Sequence, residues 1–195
     1  MYKTQARQFL SEGNYKLDKT IGIWNLPVTM EVCGRLCKGC YALAAQVLYP
    51  SVLPSRERKL ELSKQLGWTI NMIEAIKALG LSFVRVHESG EFYSQEYVNN
   101  WTAIMKALPD VTFTFYTKRM LDFNFNDMKK LDNVIAIDSL ASGRLNYGTI
   151  DKKPAEMVLC PSTKANKIGC RKGCDTCYNT SNKVALKNGI FFIKH

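Results

Sequence analysis

Seven cysteines carry most of the chemistry this sequence can offer, and they fall in two clusters. Cys33, Cys37 and Cys40 are spaced C-x3-C-x2-C; Cys160, Cys170, Cys174 and Cys177 lie within eighteen residues, and the 119 residues between the clusters hold none. An odd number of cysteines, without an export signal, argues against a disulfide framework and for metal ligation. Three thiolates on one short loop can hold three irons of a cubane and leave the fourth without a protein ligand, an open position where a small molecule can chelate. The late group repeats both the spacing and the tyrosine that follows it (Tyr41, Tyr178), and Cys160-Pro161 adds a fourth sulfur. Four ligands make a closed site, suited to structure or electron transfer. Zinc is the competing metal. It favours paired knuckles and four ligands, so the early loop would have to borrow His87 or a distant cysteine, whereas the late four suit it, or a disulfide, more easily.

Charge points to a second kind of chemistry. Lys and Arg number 27 against 17 Asp and Glu, a net +10. Residues 151–195 hold nine basic and three acidic residues, +6 of that total. The surplus suggests a polyanionic partner such as nucleic acid, or simply a well-solvated basic surface. Arg35 and Lys38 beside the early cysteines favour thiolates and an anionic cluster.

The elements that must position these residues follow from periodicity. Thr20–Pro27 reads as a strand after a polar arm of about 18 residues. Residues 41–66 are helical with breaks at Pro50 and Pro54, and Thr69–Leu79 is a helix with Thr69 as cap and Gly80 as stop. Leu81–His87, Val111–Thr117 and Asn133–Leu140 are strands, and Glu156–Leu159 is a fifth. Gln95–Leu108 and a weaker segment at Phe125–Leu131 are helices. Alternating strands and helices predict a parallel α/β sheet. A closed eight-unit barrel takes about 200–250 residues, and residues 20–159 are too few. The expected fold is therefore a partial (β/α) barrel or a small open parallel sheet of about 4–6 strands, with a cysteine-rich C-terminal segment. The domain reading is a core at 1–150 and a basic, metal-binding segment at 151–195. Functional groups belong in loops beyond the strands' C-terminal ends, and the marked residues fall there: Cys33–Cys40, Glu88–Glu91, Thr117–Arg119 and Asp138–Ser139.

The early motif resembles that of the radical SAM superfamily, which places C-x3-C-x2-C after the first strand of such a barrel. The family's aromatic before the last cysteine is replaced by Gly39, and Tyr41 follows instead. Ser89, Gly90 and Glu91 resemble the family's Gly-Gly-Glu segment, which contacts the methionyl amine of S-adenosylmethionine. Thr117, Asp138 and Ser139 would then serve as ribose and carboxylate contacts. The resemblance implies a [4Fe-4S] cluster on Cys33, Cys37 and Cys40, reductive cleavage of S-adenosylmethionine to a 5′-deoxyadenosyl radical, and an auxiliary cluster on Cys160, Cys170, Cys174 and Cys177. It also implies an electron donor such as flavodoxin or ferredoxin. A second resemblance, through VRVHESGEFYSQEYVNNW, FTFYTKR, the late cysteines and the ending IFFIKH, is to the bacteriophage gene product 88 family. It implies an iron–sulfur protein of viral type at work in the host cytoplasm, and no particular reaction. The alternatives are a non-catalytic iron–sulfur protein for electron transfer or regulation, and a zinc-stabilised nucleic-acid-binding protein.

Four further readings complete the expectations. His87 is a proton carrier or a satisfied core histidine. Tyr93, Tyr97 and Trp101 form a core stripe more readily than a stacking platform. Lys118-Arg119 is a candidate clamp for a phosphate or carboxylate, and His195 ends a tail whose apolar approach suggests packing. No apolar run reaches the roughly 18 residues of a membrane span, and the polar first residues lack a signal peptide's apolar centre.

Overall fold

The computed structural model describes residues 1–14, 17–37 and 40–138, together with three short strands near the C-terminus. In chain order the elements are α1 (Lys3–Ala6), β1 (Ser11–Glu12), β2 (Ile21–Trp24), α2 (Met30–Cys33), α3 (Tyr41–Leu48), α4 (Val52–Lys64), α5 (Trp68–Leu79) and β3 (Phe83–Val86). There follow α6 (Gln95–Ala107), β4 (Thr112–Thr117), α7 (Asn126–Lys129), β5 (Val134–Asp138), β6 (Tyr147–Gly148), β7 (Val158–Leu159) and β8 (Ile190–Ile193). One sheet has the order β1-β2-β3-β4-β5 and stays open. β2 to β5 run parallel, each strand beside its successor, and β1 closes one edge antiparallel to β2. A second, parallel sheet has the order β6-β8-β7. The open parallel sheet is the small α/β architecture expected.

Register divides the main sheet into two faces. Trp24, Val86, Phe115 and Ala136 stand in one row, and Gly22, Val84, Phe113 and Val134 in the next. These rows join the main core with Trp68, Met72, Ala75, Ile76 and Leu79 of α5 and Tyr97, Val98, Trp101, Ile104 and Met105 of α6. Both helices are amphipathic at 3.6-residue spacing, so their apolar stripes cover one face of the sheet. Trp24, Trp68, Trp101 and Tyr97 meet ring to ring, with centroids 5.4–6.4 Å apart. The stripe reading of Tyr97 and Trp101 holds: both are buried. Lys59 of α4 is buried as well, its ammonium 5.5 Å from the centre of the Trp24 ring. Burial, with Arg58 and Arg56 nearby, brings its pKa down to about 8.

Three local expectations change. The N-terminal segment is no arm, because Ala6, Phe9 and Leu10 enter the core and β1 pairs with β2. Pro54 sits in the first turn of α4, where backbone N–H groups have no intrahelical partner to lose, so it does not break the helix. The cap of α5 is Gly67, in the left-handed region, and Thr69 lies inside the helix; Gly80 does end it. No helix among the described residues is long and apolar enough to cross a membrane.

Candidate functional site

Two segments leave the C-terminal end of β2 and β3 locked to each other. Asn25, directly after β2, accepts the backbone N–H groups of both Glu88 (2.8 Å) and Ser89 (3.0 Å) on its Oδ1. Ser89 donates its hydroxyl to the Leu26 carbonyl at 3.0 Å, and Leu26 N–H donates to the Ser89 carbonyl at 3.0 Å. Gly90 has φ +78°, and a Cβ there would meet the Leu26 Cβ at 2.5 Å, so the close approach of the two loops requires glycine. His87 turns the chain with φ +64°, uncommon for a residue with a side chain. The contacts around it hold that conformation in place. The Tyr41 hydroxyl donates to the Glu88 carbonyl at 2.6 Å, and the Asn14 amide donates to the Glu88 carboxylate at 2.8 Å.

This turn delivers Glu91 to the end of β4. Its carboxylate accepts the Thr117 hydroxyl at 2.6 Å and the Lys118 backbone N–H at 2.9 Å. Burial raises the Glu91 pKa, against the opposing pull of Thr117, Lys118 and Arg119. Lys118 then reaches back to the cysteine loop, where its ammonium donates to Cys37 Sγ at 3.0 Å. Burial pulls the Lys118 pKa down, but that hydrogen bond and the charges of Cys37, Glu91 and Cys40 outweigh it and leave it raised.

Cys33 is the last residue of α2, whose N-cap Thr29 accepts the Val32 N–H on its hydroxyl at 3.2 Å. Gly34 ends that helix in the left-handed region, and a Cβ there would lie 2.9 Å from Arg119 Cζ. Arg119 donates to the Val32 carbonyl at 3.2 Å and to Asp122 at 2.8 Å, and its guanidinium lies over Phe123. It fastens the carbonyl end of α2, and the carboxylate it holds is that of Asp122. Cys40 is the N-cap of α3. Burial, then the charges of Glu91, Cys40 and Cys37, push the Cys33 thiol up to about 11.

Three of the four expected loops therefore meet at one edge of the sheet: the early cysteines, the turn ending in Glu91, and Thr117–Arg119. Asp138 enters the same edge by register, opposite Thr117. Ser139, Cys160, Cys170, Cys174, Cys177 and His195 lie outside the described residues, as do Lys38 and Gly39. Ser89 and Gly90 are engaged in holding the turn against Leu26. His87 is the buried core histidine of the two readings. Trp24 Nε1–H donates to the Tyr97 hydroxyl at 2.7 Å, and Tyr97 lies 3.0 Å from His87 Nε2. His87 Nδ1 is buried without a hydrogen-bond partner. Burial, with Arg85 beside it, lowers the His87 pKa to about 3.

The Gene product 88 family model matches residues 4–157. The chain belongs to that family. No curated protein and no solved structure matches it. The match to Gene product 88 takes in Cys33, Cys37, Cys40, Glu91 and Lys118 and stops three residues before Cys160. The late cysteines and the IFFIKH ending, two of the features behind the bacteriophage resemblance, thus lie outside the matched span.

Whether this Gene product 88 chain suits a metal is a question of its donors. Among the described residues no three His, Cys, Asp or Glu side chains are gathered into a group able to hold a metal ion. The three early cysteines share one loop without forming such a group. Three partly buried sulfurs share one loop, and each of the other two adds negative charge against ionisation of Cys33. A bound cation reverses that penalty, because a coordinating thiol is deprotonated outright. Cys37 also has a cation already placed on its sulfur. Sequence reasoning missed Asn25 and Asn14, the two amides that brace the Glu88 turn. Asn25 carried a signal, an Asx residue between a strand and Leu-Pro.

Proposed function

We propose that this protein is an iron–sulfur protein whose early loop holds a [4Fe-4S] cluster on Cys33, Cys37 and Cys40, with one iron left open to S-adenosylmethionine. The single observation that carries the reading is the meeting of the cysteine loop with Glu91 and Lys118 at the C-terminal edge of the parallel sheet, joined by the 3.0 Å contact to Cys37. When bound, such a cluster supplies one low-potential electron to the sulfonium of its ligand. The chain's own part is to orient and to exclude water. Gly34 and Arg119 fix the end of α2 that carries Cys33. Tyr41 ties the residue after Cys40 to the Glu88 turn, and Glu91 presents a carboxylate at the edge where an amine would arrive. Ser89, Gly90, Thr117, Asp138 and Ser139 complete the proposed ligand contacts, and Cys160, Cys170, Cys174 and Cys177 the proposed auxiliary cluster. Flavodoxin or ferredoxin would supply the electron, in the host cytoplasm.

One observation favours a second reading, a non-catalytic iron–sulfur protein. The Glu91 carboxylate is already engaged by Thr117 and Lys118, as a purely structural acid would be. Anaerobic purification separates the two. Brown protein that cleaves S-adenosylmethionine to 5′-deoxyadenosine once reduced supports the first. Brown protein without cleavage, and with a spectrum unmoved by S-adenosylmethionine, supports the second. Colourless protein holding zinc, without iron or sulfide, overturns both and favours the zinc-stabilised nucleic-acid binder, whose affinity must then fall with salt.

A further inference from the structure

Helix α3 is built inside out. Its run, YALAAQVL, lies within the longest uncharged stretch of the chain, residues 39–55. A surface helix ordinarily buries an apolar stripe and shows polar residues to water. At about 100° per residue, Tyr41, Ala44, Val47 and Leu48 share an arc about 120° wide, and that arc faces solvent. Tyr41 is 71% exposed, Val47 79% and Leu48 69%, with Ala44 exposed between them, and Tyr49, the C-cap, is 55% exposed. The amide of the helix works inward instead. Gln46 Oε1 accepts the Val28 N–H at 2.9 Å, and Arg56 of α4 donates to the Ala42 carbonyl at 2.9 Å and to Gln46 Oε1 at 3.3 Å. The Tyr41 hydroxyl donates to the Glu88 carbonyl, so the polar end of this exposed ring is already engaged.

We propose that this arc docks a second copy of the chain, α3 against α3, antiparallel across a two-fold axis that passes between Ala44 and Ala45. Three features favour a copy of the same chain. The first is area. The four large exposed residues offer roughly 500 Å², so two copies meeting through them would hide about 1,000 Å², the size at which a specific interface begins. The second is charge. Two chains of net +10 repel each other, and an uncharged face lets them approach without setting like charges opposite one another. The third is self-complementarity, which a two-fold contact requires of its patch. With the small Ala44 and Ala45 at the axis the helices close at the centre, and each Tyr41 falls opposite the Leu48 of the second copy. The proposal stands independently of the cluster assignment above.

The test is sedimentation velocity on the full chain, with its thiols kept reduced, from submicromolar to submillimolar concentration, beside hydrogen exchange over the same series. Wild type should pass from the mass of one chain to twice that mass, and the α3 amides should gain protection as it does. Val47→Glu and Leu48→Glu, at solvent-facing positions and checked for fold by circular dichroism, should lose the dimer at every concentration. Leu66→Glu, at a fully exposed leucine beyond the C-terminal end of α4, should keep it. Added salt should leave the dimer intact or tighten it, because it screens the repulsion between two basic chains. If a variant does not fold, the exchange series on wild type still decides. A wild type that stays monomeric throughout overturns the proposal: α3 protected at every concentration would mean that another segment of this chain covers it, and α3 unprotected throughout would mean that its face serves a different partner. A dimer that survives both α3 glutamate variants, or that salt takes apart, overturns it as well.

Discussion

The two ends of the parallel sheet's helix-covered side are built by opposite rules. Behind the strands, Trp24, Trp68, Trp101 and Tyr97 interlock with Val84, Val86, Phe113 and Phe115, and the region is held by burial. At the C-terminal edge, Cys33, Cys37, Cys40, Glu91 and Lys118 are half-buried; Thr117 and Lys118 hold the Glu91 carboxylate, and the Lys118 ammonium holds the Cys37 sulfur. The first region is redundant and apolar, so its side chains specify the fold. The second is polar, and its hydrogen bonds fix positions that stability alone does not require. Substitutions should therefore cost stability in the core and leave stability nearly untouched at the edge.

The largest effect is expected from Trp101→Ala. The side chain is fully buried among four other aromatic rings. Its truncation should cost about 4 kcal/mol in urea unfolding; a cost under about 1 kcal/mol would erase the distinction between the regions. Acid comes next. The His87 pKa is about 3 when folded and near 6.5 when unfolded. The unfolded chain thus binds the extra proton, and the stability due to neutral His87 is complete above the unfolded value and is lost as pH falls from there toward the folded one. The loss should reach roughly 3 kcal/mol by pH 4, and His87→Asn should flatten that slope. An unchanged slope in the variant would show that His87 is not the buried neutral group described.

Lys59→Met should work in the opposite direction. A lysine whose pKa is brought to about 8 by burial holds its charge at a cost at neutral pH. Its replacement by an apolar chain of similar length should add about 2 kcal/mol, and a loss of stability would show that the contact with Trp24 dominates. Glu91→Gln is the smallest and the most telling. Its raised pKa means that the charge disfavours the folded state, so the amide should change stability by no more than about 1 kcal/mol, and upward. A loss above about 2 kcal/mol would make Glu91 part of the scaffold.

Much of the sheet was legible because its pattern is local. TFTFYT alternates, LSFVRVH is bounded by turns, and both became strands within one or two residues of the expected limits. The early segments were not. α1 buries only Ala6 of its four residues, and α2, also four residues long, shows no amphipathic period. Three of the four expected loops, those of Cys33–Cys40, Glu88–Glu91 and Thr117–Arg119, lie at the C-terminal ends of strands, as the rule that functional groups lie beyond strand C-termini requires, whereas Asp138 is the last residue of β5. Which side chains meet there was beyond that rule. The Lys118–Cys37 contact links residues 81 apart, and the Asn25 hold on Glu88 and Ser89 spans 63 and 64. No periodicity encodes such pairings. They follow from the register of β2, β3 and β4, which only the assembled sheet supplies.

The most direct measurement is the iron and acid-labile sulfide content of anaerobically prepared wild type beside Cys37→Ala. Two loaded sites should fall to one in the variant, with the fold intact by circular dichroism. Iron absent from both proteins, or present in equal amounts in both, would contradict an iron–sulfur centre on the early cysteine loop.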